Sequence, residues 1–581
     1  MVVSAYRAEG GVLGGRRFVV ELVKPSHYDD DGYVIQWWKS WIPSNSLASL
    51  YGIARDLAER RALGPDVAIE IHAYDECHTV IPVRRIIGRI EEADAGLVCL
   101  VGVQSNQFPR AMDLAARFRK AGIQVAVGGF HVSGCLAMLP ELPPDLVEAT
   151  RLGVILFAGE AEGRLAGLFA DALEGQLRPI YNFMDDLPGL QRQVTPFLPL
   201  DIVRRYGETI GAFDAGRGCP FQCSFCTIIN VQGRKSRWRD ADDVEQLVRA
   251  NLAQGVFRFF ITDDNFARNR NWEAIFDRLI EMREREGLGL QFIIQVDTLC
   301  HRIPNFVEKA ARAGCKRVFI GLENINPDNL LQAKKKQNRV HEYRQMFLAW
   351  RAQRVITYAG YILGFPGDTP ERIARDIRTV QQQLPVDLLE FFILTPLPGS
   401  ADHQQLSKNG VWMDPDMNKY DLEHVTTGHP AMTAQDWQRV YRDAWDLYYS
   451  AEHIERIFRR AKASGIKPVR LLNHILQFYF TFVQERVHPL QGGYIRRKLR
   501  RQRRSGQPRE NPLFFYPRRV REVVETHVKL AAFYIYLHRI RRRVERDPHS
   551  YSDDALLPVD SEASSVFAPR RERKASAEAI A

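Results

Sequence analysis

A chain of 581 residues exceeds one ordinary domain and holds material for about three to four units. Its 45% hydrophobic and 10% aromatic content excludes a disordered protein, and no apolar run reaches the roughly eighteen residues of a spanning helix. The net charge of +10 admits a nucleic-acid partner, yet the excess gathers near the C-terminus. Eight cysteines and the lack of a charged, apolar, small-residue order at the N-terminus predict a reducing, cytoplasmic setting.

From about Arg16 to Asn182 apolar runs alternate with amphipathic stretches, the rhythm of an open parallel α/β sheet. Strands are expected at Phe18–Val23, Val67–Ile71, Gly96–Val103, Val125–Val127 and Val154–Phe157, and helices at Ser46–Arg60, Pro109–Ala121 and Ala161–Leu173. Ligands of such sheets sit beyond the carboxyl ends of the strands. Those ends carry Gln104 and Ser105, then Gly128, Gly129 and His131, then Gly159 and Glu160. Paired glycines let a backbone approach a flat ring or a nucleotide tail. Read alone, these loops fit any flavodoxin-like domain and leave the ligand open.

Next comes Cys219-Pro-Phe-Gln-Cys223-Ser-Phe-Cys226, directly after Gly216-Arg217-Gly218. Three thiolates at this spacing can hold three irons of a [4Fe–4S] cluster and leave the fourth open to a chelating ligand. A structural zinc needs a fourth Cys or His, and none lies within ten residues on either side. From Gly211 to about Leu406 strands and helices alternate again, enough for about six βα units of an incomplete barrel. Each strand ends in a polar cluster: Asp263 and Asp264, Gln295 and Asp297, Glu323 and Asn324, Gly364 through Asp368, and Thr395 through Gly399. Residues at the carboxyl ends of barrel strands converge on one mouth. Asp368 and Thr369 also read as N-caps of the following helix.

The cysteine spacing resembles the radical SAM signature. The strings Gly-Leu-Glu-Asn, Gly-Phe-Pro-Gly-Asp-Thr-Pro-Glu and Thr-Pro-Leu-Pro-Gly, with the preceding Gly128-Gly129 and Gly159-Glu160 loops, resemble cobalamin-binding-domain-containing radical SAM proteins. The resemblance implies a Rossmann-like or flavodoxin-like cobalamin-binding domain over 16–185, a linker over 186–210 and a partial (β/α)6 barrel over 211–410. A mainly helical basic cap over 411–549 and a disordered tail over 550–581 would complete the chain. It further implies that Cys219, Cys223 and Cys226 ligate the cluster. Asp263, Asp264, Gln295, Glu323, Gly364, Pro366, Gly367 and Asp368 would line an S-adenosylmethionine pocket. Gln104, Ser105, Gly128, Gly129, His131, Gly159 and Glu160 would hold cobalamin. The Asp-x-His-x-x-Gly element that supplies a lower histidine ligand in many cobalamin proteins is absent, so a bound corrin would be base-off. Lys334 through Asn338 resembles a short Lys-x-x-Asn stretch of the family, although a solvated helical face explains it equally well. Trp412, Tyr420, His424 and His429 resemble the segment that closes the substrate side.

Cys77, Cys99 and Cys135 raise a rival, because methylthiotransferases carry three further cluster cysteines before the barrel. Cys99, flanked by Val98 and Leu100, reads instead as core packing. The reaction expected is methylation of an unactivated carbon of a small molecule, with a flavodoxin or ferredoxin as electron donor. Oxidative cyclisation without methyl transfer and a metal-stabilised nucleic-acid-binding protein are the alternatives. Helices are expected at Ala434–Arg460 and Val469–Gln484. The basic, aromatic stretches Tyr494–Arg504 and Val528–Arg543 fit a helix pair on an anionic membrane surface, which would suit a lipid or isoprenoid substrate. They equally fit a helical cap packed on the barrel.

Overall fold

The computed structural model describes residues 5–7, 15–558 and 566–567. The first unit is a seven-stranded sheet. Arg16–Lys24, Val67–Asp75, Ala95–Leu100, Gln124–Gly128, Ile155–Ala158 and Ile180–Asn182 pair in parallel, and Ala5–Arg7 joins Val67–Asp75 antiparallel. Arg16–Lys24 lies between Val67–Asp75 and Ala95–Leu100, so chain direction across the sheet reverses there, the arrangement of a doubly wound fold. Strands such as Phe18–Val23 are buried throughout and apolar save for Glu21, which pairs with Arg89, because helices cover both faces of the sheet. Asn45–Glu59 and Phe108–Lys120 match the expected helices within a residue. Leu165–Leu173 starts later than Ala161, because Gly163 takes a positive φ in the turn before it. Val83–Glu91, Phe130–Met138 and Pro144–Arg151 are helices that the sequence reading does not anticipate.

Residues 186–210, expected as a linker, pack against the core through Leu190, Leu198, Ile202 and Tyr206. The second unit is a six-stranded parallel sheet in chain order. Its strands are Ile210–Phe213, Arg258–Ile261, Gln291–Val296, Cys315–Glu323, Ile356–Leu363 and Leu388–Ile393. This is the expected open (β/α)6 barrel, and every strand end named above falls on one rim.

The C-terminal third departs from expectation. Ser450 breaks the predicted helix Ala434–Arg460 into Ala434–Tyr448 and Ala451–Ala463. Pro468–Ile475 continues into a π-helical segment, Leu476–Glu485. The basic stretch from Tyr494 is not a helix: Gly493–Arg496 is a strand paired antiparallel with Trp37–Ser40. Arg496 is buried there over the Trp37 ring and bonded to Asp29 at 2.9 Å, so part of that charge serves packing. Pro512–Arg546 is a 35-residue helix. The tail reading also changes, since Ala555 and Phe567 are fully buried and Asp553 holds Arg460 at 2.7 Å. The remainder of that tail lies outside the described residues. Among the described residues no helix is long and apolar enough to cross a membrane.

Candidate functional site

The cysteine loop leaves the first barrel strand through a turn held by one carboxylate. Asp263 Oδ1 accepts from the amides of Ala215 and Gly216 at 2.7 and 2.8 Å, and Oδ2 accepts from Asn269 at 2.9 Å. Burial pushes its pKa up to about 7. With both oxygens engaged, Asp263 positions the loop instead of facing a ligand, which corrects the role expected of it. Asp264 is the carboxyl that faces the thiols, and burial, then the neighbouring Asp263, raise it to about 7.

Cys219, Cys223 and Cys226 influence one another electrostatically, and burial followed by the neighbouring Cys223 raises the Cys226 thiol to about 12. Among the described residues no three metal-binding side chains converge on a single ion site. Gln337 donates from Nε2 to Cys223 Sγ at 3.3 Å. Lys335 is buried, pairs with Glu323, lies 5.6 Å from the Phe225 ring centroid and places its charge near Cys223 and Cys226. Asn338 donates to the carbonyls of Gly321 and Leu322 at 3.0 and 2.8 Å. Residues 334–338 are therefore a turn that buries Lys335, Gln337 and Asn338 while Lys334 and Lys336 face solvent. Glu323, in a left-handed conformation with φ 60°, is engaged by Lys335.

On the opposite side of the rim, Asp368 brackets its own turn. Its Oδ2 accepts from Gly364 and Phe365 at 2.9 and 3.0 Å, and its Oδ1 from Asn329 at 2.6 Å. The expected N-cap role falls to Thr369 alone. Gly364 has φ +98° with the Trp437 indole against its α-carbon, so only glycine fits. Gly364 and Pro366 border a pocket with Ser224, and Gly367 adjoins Asn329. Gln295 donates to the Asp263 carbonyl at 3.3 Å. His429 contacts the Phe365 carbonyl at 2.9 Å, whereas His424 is held by Asp30 and Asp421 and Trp412 is exposed. Of the four closing residues, His429 stands by the rim turn, and Tyr420 is buried with its hydroxyl on the Asp414 carbonyl.

The glycine loops of the first unit meet this rim. Gly102, Gly128, Gly129, Gly159, Ser133 and Leu165 are among the walls of a cavity that also touches Arg217 and Gln232 of the barrel. Gly129 and Gly159 have positive φ and pack tightly on Val103 and Phe183, so glycine is required for the strand ends to close together around that space. Gln104 is exposed at the start of its turn. Ser105 and His131 are buried, and the histidine nitrogens meet Ser105 Oγ at 3.1 Å and Asp145 at 2.8 Å. Both ring nitrogens are thus occupied, and His131 is a hydrogen-bonding loop residue. Glu160 is taken by Arg217 at 2.7 Å and by Arg237 at 2.8 Å, a bridge between the units. Arg217 also reaches Glu162 and Asp214 at 2.6 and 3.1 Å. Helix Phe130–Met138 lies so close to the last barrel loop that a Cβ on Gly134 would sit 2.5 Å from the Pro398 carbonyl. Cys99 and Cys135 are buried core thiols, as expected for Cys99.

Residues 215–380 match the Radical SAM superfamily. Over 325 residues the chain is 27% identical to bacteriochlorophyllide d C-12(1)-methyltransferase of Chlorobaculum tepidum, which aligns 54% of this chain with 66% of that one, just under two thirds of its length. The fold is similar to that of the radical S-adenosylmethionine methyltransferase TsrM from Kitasatospora setae, with TM-score 0.57, 16% identity, and 75% and 90% of the two chains covered. It is also similar to the cobalamin-dependent S-adenosylmethionine radical enzyme OxsB, with TM-score 0.52, 14% identity, and 93% and 82% covered.

The matched segment carries the cysteine loop and all but the first and last of the barrel strands, so by this match residues 215–380 are a radical SAM domain. The order of a doubly wound sheet followed by an open barrel is similar to that of TsrM and OxsB, and methyltransferases are among the relatives.

Proposed function

We propose that the chain is a cobalamin-dependent radical SAM methyltransferase acting on an unactivated carbon of an apolar small molecule. The observation that carries the reading is the meeting of the glycine-walled cavity with the cysteine loop at Arg217. Cys219, Cys223 and Cys226 would hold the cluster, with Asp264, Gln295 and the Gly364–Asp368 turn around S-adenosylmethionine. The cavity at Gly102, Gly128, Gly129 and Gly159 would take the corrin side. When bound, the cluster supplies the electron that cleaves S-adenosylmethionine, and cobalamin supplies the methyl group. Asp263 fixes the loop, Lys335 places positive charge beside the thiols, and the buried bridge at Arg217 keeps the two units aligned. These roles divide the chain at 16–185, 186–210, 211–410 and 411–549, and a flavodoxin or ferredoxin is the fitting electron donor. Anaerobic purification with both cofactors supplied should give roughly four irons and one cobalt per chain, one cubane and one corrin. Iron without cobalt would refute the methyl-transfer part of the reading.

Peripheral membrane contact belongs to the same reading. A cationic groove lined by Arg84, Arg85, Arg117, Lys120, Arg500 and Arg501 lies on one side of the C-terminal region. Leu513, Phe514, Tyr516, Val520 and Val524 are exposed on the long helix. Apolar side chains beside clustered arginines match an anionic bilayer surface, at about 1 kcal/mol per basic residue near it. The protein is expected to co-sediment with vesicles containing phosphatidylglycerol, and charge reversal at Arg500 and Arg501 should weaken this. Equal sedimentation with purely zwitterionic vesicles would count against the contact.

A further inference from the structure

The barrel interior contains a carboxyl group with nothing to hold. Glu390 lies on the last barrel strand, Leu388–Ile393, where strand alternation puts Leu388, Glu390 and Phe392 on one face. It is fully buried, and neither side-chain oxygen has a hydrogen-bond partner. Burial alone pushes its pKa up to about 8, so at neutral pH the group is mainly a neutral acid. An unpaired buried carboxyl is costly, and a barrel packed for stability alone would place a hydrocarbon there.

Glu390 lines a cavity whose other walls include Phe260, Phe319, Tyr358, Leu388 and Phe478. The cavity extends from Ile210 and Leu388, the first residues of their strands, up to Gln295. Gln295 in turn donates to the Asp263 carbonyl on the cysteine-loop rim. At the opposite face the cavity adjoins a second one. Trp41, Glu208, His474 and Gln477 are walls of both. The outer cavity is bounded by Val523, Thr526 and Leu530 of the long C-terminal helix, the same helix that carries the exposed apolar side chains.

We propose that these two cavities form a substrate channel entering the barrel from the face opposite the cysteine loop, and that Glu390 is a specificity residue that binds a hydroxyl or amine donor on an otherwise apolar substrate. The proposal rests on the radical SAM reading for what happens at the upper end of the channel, but ligand binding in the channel needs neither cluster nor S-adenosylmethionine. The chemistry of the walls sets the ligand class. Phe260, Phe319, Tyr358, Leu388 and Phe478 take the hydrocarbon body, Glu208, Arg317, His474 and Gln477 are its polar walls, and Glu390, buried with both oxygens unpaired, rewards one donor and penalises a ligand that leaves it unpaired. An isoprenoid alcohol meets both conditions; its methyl ether meets only the first.

Isothermal titration calorimetry of the reconstituted full chain with geraniol and with geranyl methyl ether tests this. Geraniol should bind wild type about tenfold tighter than the ether, the ratio that one hydrogen bond to a buried group supplies. Glu390→Leu should bind the two alike, Glu390→Gln should restore the preference through its carbonyl, and Val523→Trp should weaken both ligands by filling the outer cavity. Glu390→Leu is expected to fold and to melt no lower than wild type, because it replaces an unpaired polar group by an apolar one. The proposal is overturned if neither probe binds wild type, if both bind it equally, or if Glu390→Leu keeps the preference. Cleavage of S-adenosylmethionine by wild type, measured alongside, reports separately on the radical SAM reading.

Discussion

In a Cys223→Ala variant, iron incorporation and formation of 5′-deoxyadenosine are expected to fall to background, a larger loss than the 10–100-fold that removing an outer-shell partner costs. Cys223 is the buried member of the three thiols and accepts a hydrogen bond from Gln337. Without it, two thiols remain, too few to hold three corners of a cubane with the fourth iron open. Gln337→Leu provides the contrast. It removes a donor to sulfur but no ligand, so the cluster should assemble and its reduction potential should move to a more negative value, because the donor stabilises charge on the sulfur. Iron quantification and the spectroscopic signature of the reduced cluster distinguish the two variants. Retained deoxyadenosine formation by Cys223→Ala would refute the ligand assignment.

Arg217→Met should be the most damaging single change outside the cysteines. The guanidinium is buried and holds Glu160, Glu162 and Asp214, drawn from both units, at 2.7, 2.6 and 3.1 Å. Its removal leaves three buried carboxylates shared between Arg237, which still holds Glu160, and Arg239, 3.5 Å from Asp214. Breaking a buried network in this way costs about 3–5 kcal/mol. The sign of the pH dependence follows from the same contacts. Against the upward push of burial, Arg217 holds the Glu162 and Asp214 pKa values below 4.5 and 3.8. Groups with depressed folded pKa values contribute stability above their unfolded pKa and lose it as pH falls through the folded value. The difference in melting temperature between wild type and Arg217→Met should therefore be full at pH 7 and shrink below about pH 4 as the carboxyls protonate. A constant difference across that range would mean the network is not ionic in the way described.

How much of this was legible in the sequence depended on distance along the chain. The three cysteines, the glycine after the strand at Gln124–Gly128 and the polar strand ends are local strings, and the structure places them where alternation of strands and helices put them. The roles of individual carboxylates were not legible. Asp263 and Asp368 each look like ligands for a cofactor, yet Asp263 accepts from amides of the cysteine loop and Asp368 from amides of its own turn, uses visible only once the chain is folded. His131 follows a glycine turn beside the expected corrin site, and only the fold shows that Asp145 and Ser105 meet its nitrogens. Lys335 and Gln337 carried a signal in the Lys-x-x-Asn resemblance, and burial settled which of its two readings applied. The basic run after Tyr494 misled because charge density suggests a surface, while pairing of Gly493–Arg496 with Trp37–Ser40 depends on a strand some 450 positions away. Glu390 stood within Leu388-Leu-Glu-Phe-Phe, an apolar strand with one acid, which was a signal that went unused.

By itself the sequence determined the order of the units, the sheet-forming strands and the three thiols, because hydrophobic periodicity and ligand spacing are properties of short segments. Only the tertiary structure decided which charges pair across the two units, which polar groups are consumed by nearby loops and which carboxyl is left buried without a partner. Those outcomes follow from burial, which makes an unpaired charge costly and a paired one specific, and burial is set by contacts between residues remote in the chain.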